Sequence, residues 1–167
     1  MMEISSNLDE LDNSDWKAEE ISLRQCMLGD SIDKIQFDTV LNTTRLDIPI
    51  KEQLEFDILP LKHKFHLLTN NEGWVQTKGG INFRVSKNQI VQFGLFQGAL
   101  TPLVFKGAES ISNRFGKPDD VNKFYRQDQL SETEFFYNSK QLLVVWSHVL
   151  NQLLHINIGP KYLHRST

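Results

Sequence analysis

The feature that most constrains this chain is its turn grammar. Short runs rich in β-branched and aromatic residues are cut repeatedly by clusters of Asn, Gly, Ser and Lys. In the middle of the chain the runs are Phe65 to Leu68, Trp74 to Thr77, Ile81 to Val85 and Ile90 to Phe96. The cuts between them are Asn70-Asn71-Glu72-Gly73, Lys78-Gly79-Gly80 and Ser86-Lys87-Asn88. Near the end, Thr133 to Tyr137, Leu142 to His148 and Leu153 to Ile158 are separated by Asn138-Ser139-Lys140 and Asn151-Gln152. Runs too short for helices, joined by residues that accept positive φ, predict antiparallel hairpins and meanders. In Ile81, Phe83 and Val85 against Asn82, Arg84 and Ser86 the alternation is strict, so this strand should bury one face and wet the other.

Helical spacing occurs at two places outside these runs. Leu28, Ile32 and Ile35 recur at i, i+4, i+7, with Asp30 or Ser31 as the residue that caps the start. Ala108, Ile111 and Phe115 recur at i, i+3, i+7, with Gly116 placed as a left-handed cap and Pro118 as a stop. Between Thr43 and Leu61, Pro49 and Pro60 bracket Leu54, Phe56 and Ile58, which read as an irregular or edge strand. The expected fold class is α+β, with short helices packed on antiparallel meanders. A core of Ile81, Phe83, Val85, Val91, Phe93, Ile111, Phe115, Phe135, Tyr137, Leu142, Val144, Trp146, Ile156 and Ile158 follows from the pattern.

The halves 21–97 and 98–160 also resemble each other. Setting Phe83 on Phe135 without gaps places Val85 on Tyr137, Ile90 on Leu142 and Phe93 on Val145. A helix-then-meander unit used twice and two unrelated hairpins of equal size both remain open.

At 167 residues the chain suits one domain, read as 21–160, with a C-terminal tail at 161–167. Residues 1–20 hold seven acids against Lys17 and read as an acidic, flexible arm, with Trp16 as its one large anchor. Cys26 is the only cysteine, so no intrachain disulfide or thiolate cluster can form. Met1 to Glu10 lacks a basic region followed by an apolar one, and the expected location is the cytoplasm. A formal net charge of −3 gives no general attraction to nucleic acid.

The chemistry-bearing residues form no familiar set. The Lys78-Gly79-Gly80 turn lies between strands and does not open a helix as a phosphate loop does. His63 and His66, on an extended strand, point to opposite faces and have no nearby thiolate to complete a metal site. His148 and His155 could meet across the last hairpin as a titrating pair. Cys26 lacks a neighbouring base, and the adjacent Asp119 and Asp120 read as solvated loop acids. Lys123, Phe124, Tyr125 and Arg126 interleave charge and aromatic faces, the nearest approach to a nucleic-acid patch. No cofactor and no metal is expected.

The segment Phe115-Gly116-Lys117-Pro118-Asp119-Asp120, with Tyr137, Leu142 to Trp146 and Leu154 to Ile158, resembles the helix-plus-meander repeat of β-lactamase-inhibitor-like and SmpA/OmlA-like small domains over residues 107–159. The resemblance implies a fold that binds proteins through a sheet face and loops, and it brings no catalytic residues. Those families are mostly exported or lipidated. The expected function is therefore a non-catalytic, cytoplasmic protein-binding module, most concretely a bacterial immunity protein neutralising a toxin. The alternatives are a small-ligand-sensing or structural domain, or an enzyme with an unfamiliar site. The expected binding surface is the polar strand face of Trp74, Asn82, Arg84 and Gln92.

Overall fold

The computed structural model describes residues 1–160; the expected tail at 161–167 lies outside the described residues. In chain order the strands are β1 (Met2–Glu3), β2 (Ile21–Ser22), β3 (Val40–Arg45), β4 (Gly73–Thr77), β5 (Ile81–Ser86), β6 (Gln89–Leu95), β7 (Asp120–Arg126), β8 (Gln129–Tyr137), β9 (Leu142–Ser147) and β10 (Gln152–Ile158). The helices are α1 (Ile50–Asp57), α2 (Leu61–Leu67), α3 (Gln97–Leu100) and α4 (Glu109–Phe115). The fold is α+β. Strands β3 to β10 form one antiparallel sheet in the order β3-β4-β5-β6-β10-β9-β8-β7. Two sequential four-strand meanders thus run from opposite edges to the centre. There β6 and β10 pair, with Ile156 opposite Leu95, Asn157 opposite Gly94 and Ile158 opposite Phe93.

Two hairpins close on two-residue loops whose central residues are both left-handed: Lys87 (φ 50°) with Asn88 (φ 65°), and Gln127 (φ 49°) with Asp128 (φ 64°). This geometry matches the twist of the flanking strands, and Asn and Asp tolerate it at low cost. The second of these loops joins β7 to β8, so the second meander has four strands where the sequence predicts three. Strand β7 escapes sequence reading because it is an edge strand exposed along almost its whole length and carries no alternation.

Two expected strands are helices. Leu61, Phe65 and Leu68 stand at i, i+4, i+7 and all pack on the main core, which only a helical turn allows. Pro49 and Pro60 occupy the N-terminal caps of α1 and α2 with φ of −65° and −57°, values that prepare a first helical turn. The Leu28 to Ile35 stretch is shorter than expected, a single 3₁₀ turn over Ile32–Lys34 whose Ser31 hydroxyl accepts from the Asp33 amide at 3.3 Å. Helix α4 stands where expected and ends at Gly116, whose φ is positive (93°) but whose ψ of −174° lies outside the left-handed helical region expected of the cap. The sheet also corrects the gapless match of the halves. That match sets β5 on β8, whereas β5 and β9 are the corresponding third strands of the two meanders.

The inner face of the sheet carries the core. Phe83, Phe93, Leu95, Val144, Trp146, Ile156 and Ile158 are all buried there, in one cluster with Ile111 and Phe115 of α4. Every expected core residue is buried except Ile81 and Val91, which are half-buried. The bulge in β6 accounts for Val91: Val85 pairs with Ile90 and Arg84 with Gln92, so Val91 is the extra residue and Ile90 turns inward in its place.

The N-terminal segment is the largest departure from the expected flexible arm. Leu8, Leu11, Trp16 and Ala18 have exposures of 3%, 0%, 4% and 0% and belong to the main core. Its backbone is held as well. Arg114 of α4 donates from Nε to the Leu11 carbonyl (2.8 Å) and from a terminal nitrogen to the Leu8 carbonyl (2.7 Å). Lys140 Nζ donates to the Asp12 carbonyl (2.6 Å) and lies 4.9 Å from the centre of the Trp16 ring. Strand β1 pairs in parallel with β2. Most of the acids of this segment face solvent, so a count of charges hides the apolar residues spaced between them.

Candidate functional site

Trp74, Arg84 and Gln92 stand in register across β4, β5 and β6, and Asn82 shares their face, as the alternation requires. Burial then divides the four. Arg84 and Gln92 are 6% and 0% exposed, whereas Trp74 and Asn82 are half-buried. Strands β5 and β6 lie inside an eight-stranded sheet, and side chains there are enclosed by neighbours on both sides. Burial also pushes the Arg84 guanidinium pKa down, with Glu72 opposing. The proposed arginine anchor is therefore part of the framework. Trp74 and Asn82 instead line an open groove of about 490 Å³ with Thr44, Gln76 and Phe96. Beneath the two rings lies Gly94, where a Cβ would stand 2.9 Å from Phe96 Cε2 and 3.1 Å from Trp74 Cζ3. Only glycine lets both rings settle onto β6 there.

The other sequence candidates do not converge. His63 and His66 are exposed on α2. His148 and His155 do not meet: His148 Nε2 lies 2.7 Å from Thr133 Oγ1, while the His155 ring packs on Phe96 with centroids 5.4 Å apart. Burial pushes the His155 pKa down. Asp119 accepts the Asn138 amide (2.7 Å) and Asp120 the Val121 amide (3.0 Å), so both carboxylates brace the start of β7. The Lys78-Gly79-Gly80 turn is filled from both sides. The Arg24 guanidinium donates to the Lys78 carbonyl and to Thr77 Oγ1, and a Cβ on Gly80 would come within 2.7 Å of the Ala99 nitrogen. Among the described residues, no group of three or more His, Cys, Asp or Glu side chains is placed to hold a metal ion.

A surface that sequence reading missed lies on α1. Ile50, Leu54 and Ile58 recur at i, i+4, i+8 and are 87%, 69% and 84% exposed. The helix buries Phe56 instead, beneath the Arg45 guanidinium 5.9 Å from its ring centre. Asp57 and Lys51 border the stripe with Glu55 beyond, Glu52 lies round towards the buried Phe56, and Lys51 is the one cation on the helix. The signal was present in the sequence as a helical period of three aliphatics. Reading Leu54, Phe56 and Ile58 as strand alternation concealed it.

No family model matches this chain. A search of curated proteins finds no match either. Among solved structures, the chain is similar to the crystal structure of a DUF4309 family protein, YjgB, from Bacillus subtilis, at 15% identity and a TM-score of 0.34. The match covers 56% of this chain and 60% of that one, so the chain spans less than two thirds of that protein's length. Among the described residues, no helix is long and apolar enough to cross a membrane.

Proposed function

We propose that this chain is a non-catalytic protein-binding module that docks through the exposed aliphatic stripe of α1. The observation that carries the reading is the exposure of Ile50, Leu54 and Ile58 on one helix face. Contiguous aliphatic surface in water is unfavourable by about 25 cal/mol per Å², and proteins retain it chiefly where a partner covers it. The net negative charge of α1, three acids (Glu52, Glu55 and Asp57) against Lys51, favours a partner with a positively charged apolar groove into which one helix face can lie. The buried Cys26 thiol, pushed up to about 11 by burial, speaks against thiol chemistry. An immunity protein that occludes a basic toxin surface is the most concrete form of this proposal.

The test uses the intact chain as bait in a lysate of the producing cells, with Leu54→Asp as control, followed by titration calorimetry against each purified protein the bait retains. Leu54→Asp and Ile58→Asp, which retain native circular dichroism because both side chains are exposed, should each weaken binding by about 2 kcal/mol or more. Unchanged affinity in both variants sinks the α1 surface. If the partner is toxic when expressed alone, co-expression of this chain should restore growth and the Leu54→Asp variant should not; failure of the native chain to restore growth removes the immunity reading.

A further inference from the structure

The groove on the other face of the first meander has a chemistry that α1 lacks. Among the described residues, Thr44, Trp74, Gln76, Asn82 and Phe96 line it: one hydroxyl, two carboxamides and two aromatic rings, with no ionised side chain. Register places Gln76 directly opposite Asn82 and Asn82 directly opposite Gly94. The two carboxamides therefore stand as a cross-strand pair, about 5 Å apart at Cβ, beside the two rings seated on Gly94.

We propose that this groove binds a neutral pyranose sugar. A pyranose presents C–H bonds on its ring faces and hydroxyls round its edge. The C–H face carries partial positive charge and packs on the negative face of an aromatic ring. Each edge hydroxyl both donates and accepts, which is what a carboxamide, with one acceptor oxygen and two N–H donors, is equipped to meet. The competing ligand classes fit less well. A phosphorylated sugar or a nucleotide needs a cation, and none of the described lining residues supplies one. A purely aliphatic ligand would cover two carboxamides without pairing them, leaving both groups desolvated and unsatisfied. The groove volume of about 490 Å³ falls within the usual range for small-molecule sites, about 300–1,000 Å³.

Trp74 also supplies the readout. Trp16 and Trp146 are 4% and 1% exposed, so Trp74 is the indole whose environment a ligand can change. The full chain is titrated with malto-, cello-, xylo-, manno- and chito-oligosaccharides, followed by intrinsic fluorescence, and is co-sedimented with the corresponding insoluble polysaccharides. The expected result is a saturable blue shift with at least one series. The affinity should fall at least 30-fold in Trp74→Ala and about 10-fold in Asn82→Ala and Gln76→Ala, with no change in Leu54→Asp. Saturation with soluble oligosaccharide points to a free sugar, and co-sedimentation with only weak soluble binding points to a polymer end or chain. The proposal is overturned if no series binds at millimolar concentration, or if binding survives Trp74→Ala undiminished. Loss of binding in Leu54→Asp with Trp74→Ala unaffected would place the sugar on α1 and overturn it equally.

Discussion

Cys26 is 1% exposed, its thiol 3.5 Å from the Lys34 carbonyl, between the first strand pairs and the 3₁₀ turn at Ile32. Burial raises its pKa to about 11, with Asp30 adding to the rise, so almost no thiolate exists at neutral pH. In the folded protein at pH 8 it should resist a thiol reagent such as 5,5′-dithiobis(2-nitrobenzoate), and in 6 M guanidinium it should react at the rate of a free cysteine. Rapid labelling of the native protein would mean that the segment around Cys26 opens locally. At this scale the sequence is informative wherever strand alternation is strict, as at Phe83 and Val85. It is uninformative for Arg84 and Gln92, because alternation places a side chain on a face and says nothing of what encloses that face.

At the scale of elements, the N-terminal segment carries the clearest energetic consequence. Leu8, Leu11 and Trp16 are buried in the main core, and two cations from separate elements hold the carbonyls of Leu8, Leu11 and Asp12. Leu11→Ala should cost about 2–5 kcal/mol in a urea titration, the range for a fully buried leucine. Deleting residues 1–16 should lower the melting temperature by well over about 5 °C, since a single kilocalorie already moves a domain of this size by a few degrees. A stability change below about 1 kcal/mol for Leu11→Ala would return the segment to the flexible arm that its acidity suggests. The helices α1 and α2 teach the same lesson in reverse. Their periods were legible, but Phe65 to Leu68 and Leu54 to Ile58 also satisfy a strand reading, and short apolar runs cannot be assigned by period alone.

For the whole molecule, the seam between β6 and β10 joins the two meanders into one sheet, and Ile156 at 0% exposure lies on it opposite Leu95. Because the core is continuous across the seam, the two halves should unfold together. In single-tryptophan variants that keep either Trp74 in β4 or Trp146 in β9, urea transitions should coincide with each other and with circular dichroism. In an Ile156→Ala background both should shift equally, by about 2–5 kcal/mol. Separated midpoints for the two probes would show that each meander folds as its own unit.

The sequence by itself determined the fold class, the hairpins at Ser86-Lys87-Asn88 and Asn138-Ser139-Lys140, helix α4 with its Gly116 cap, and most of the core. These follow from local rules, since φ preference, side-chain period and turn chemistry act over a few residues. Only the tertiary structure decided that the acidic N-terminus is docked and that β3 and β7 close the edges of the sheet. It alone decided, too, that Arg84 is buried while Trp74 and Asn82 border a groove, and that Ile50, Leu54 and Ile58 face water. Each of these depends on which distant surface lies against a residue, and burial of that kind is a property of the assembled sheet that no local pattern encodes.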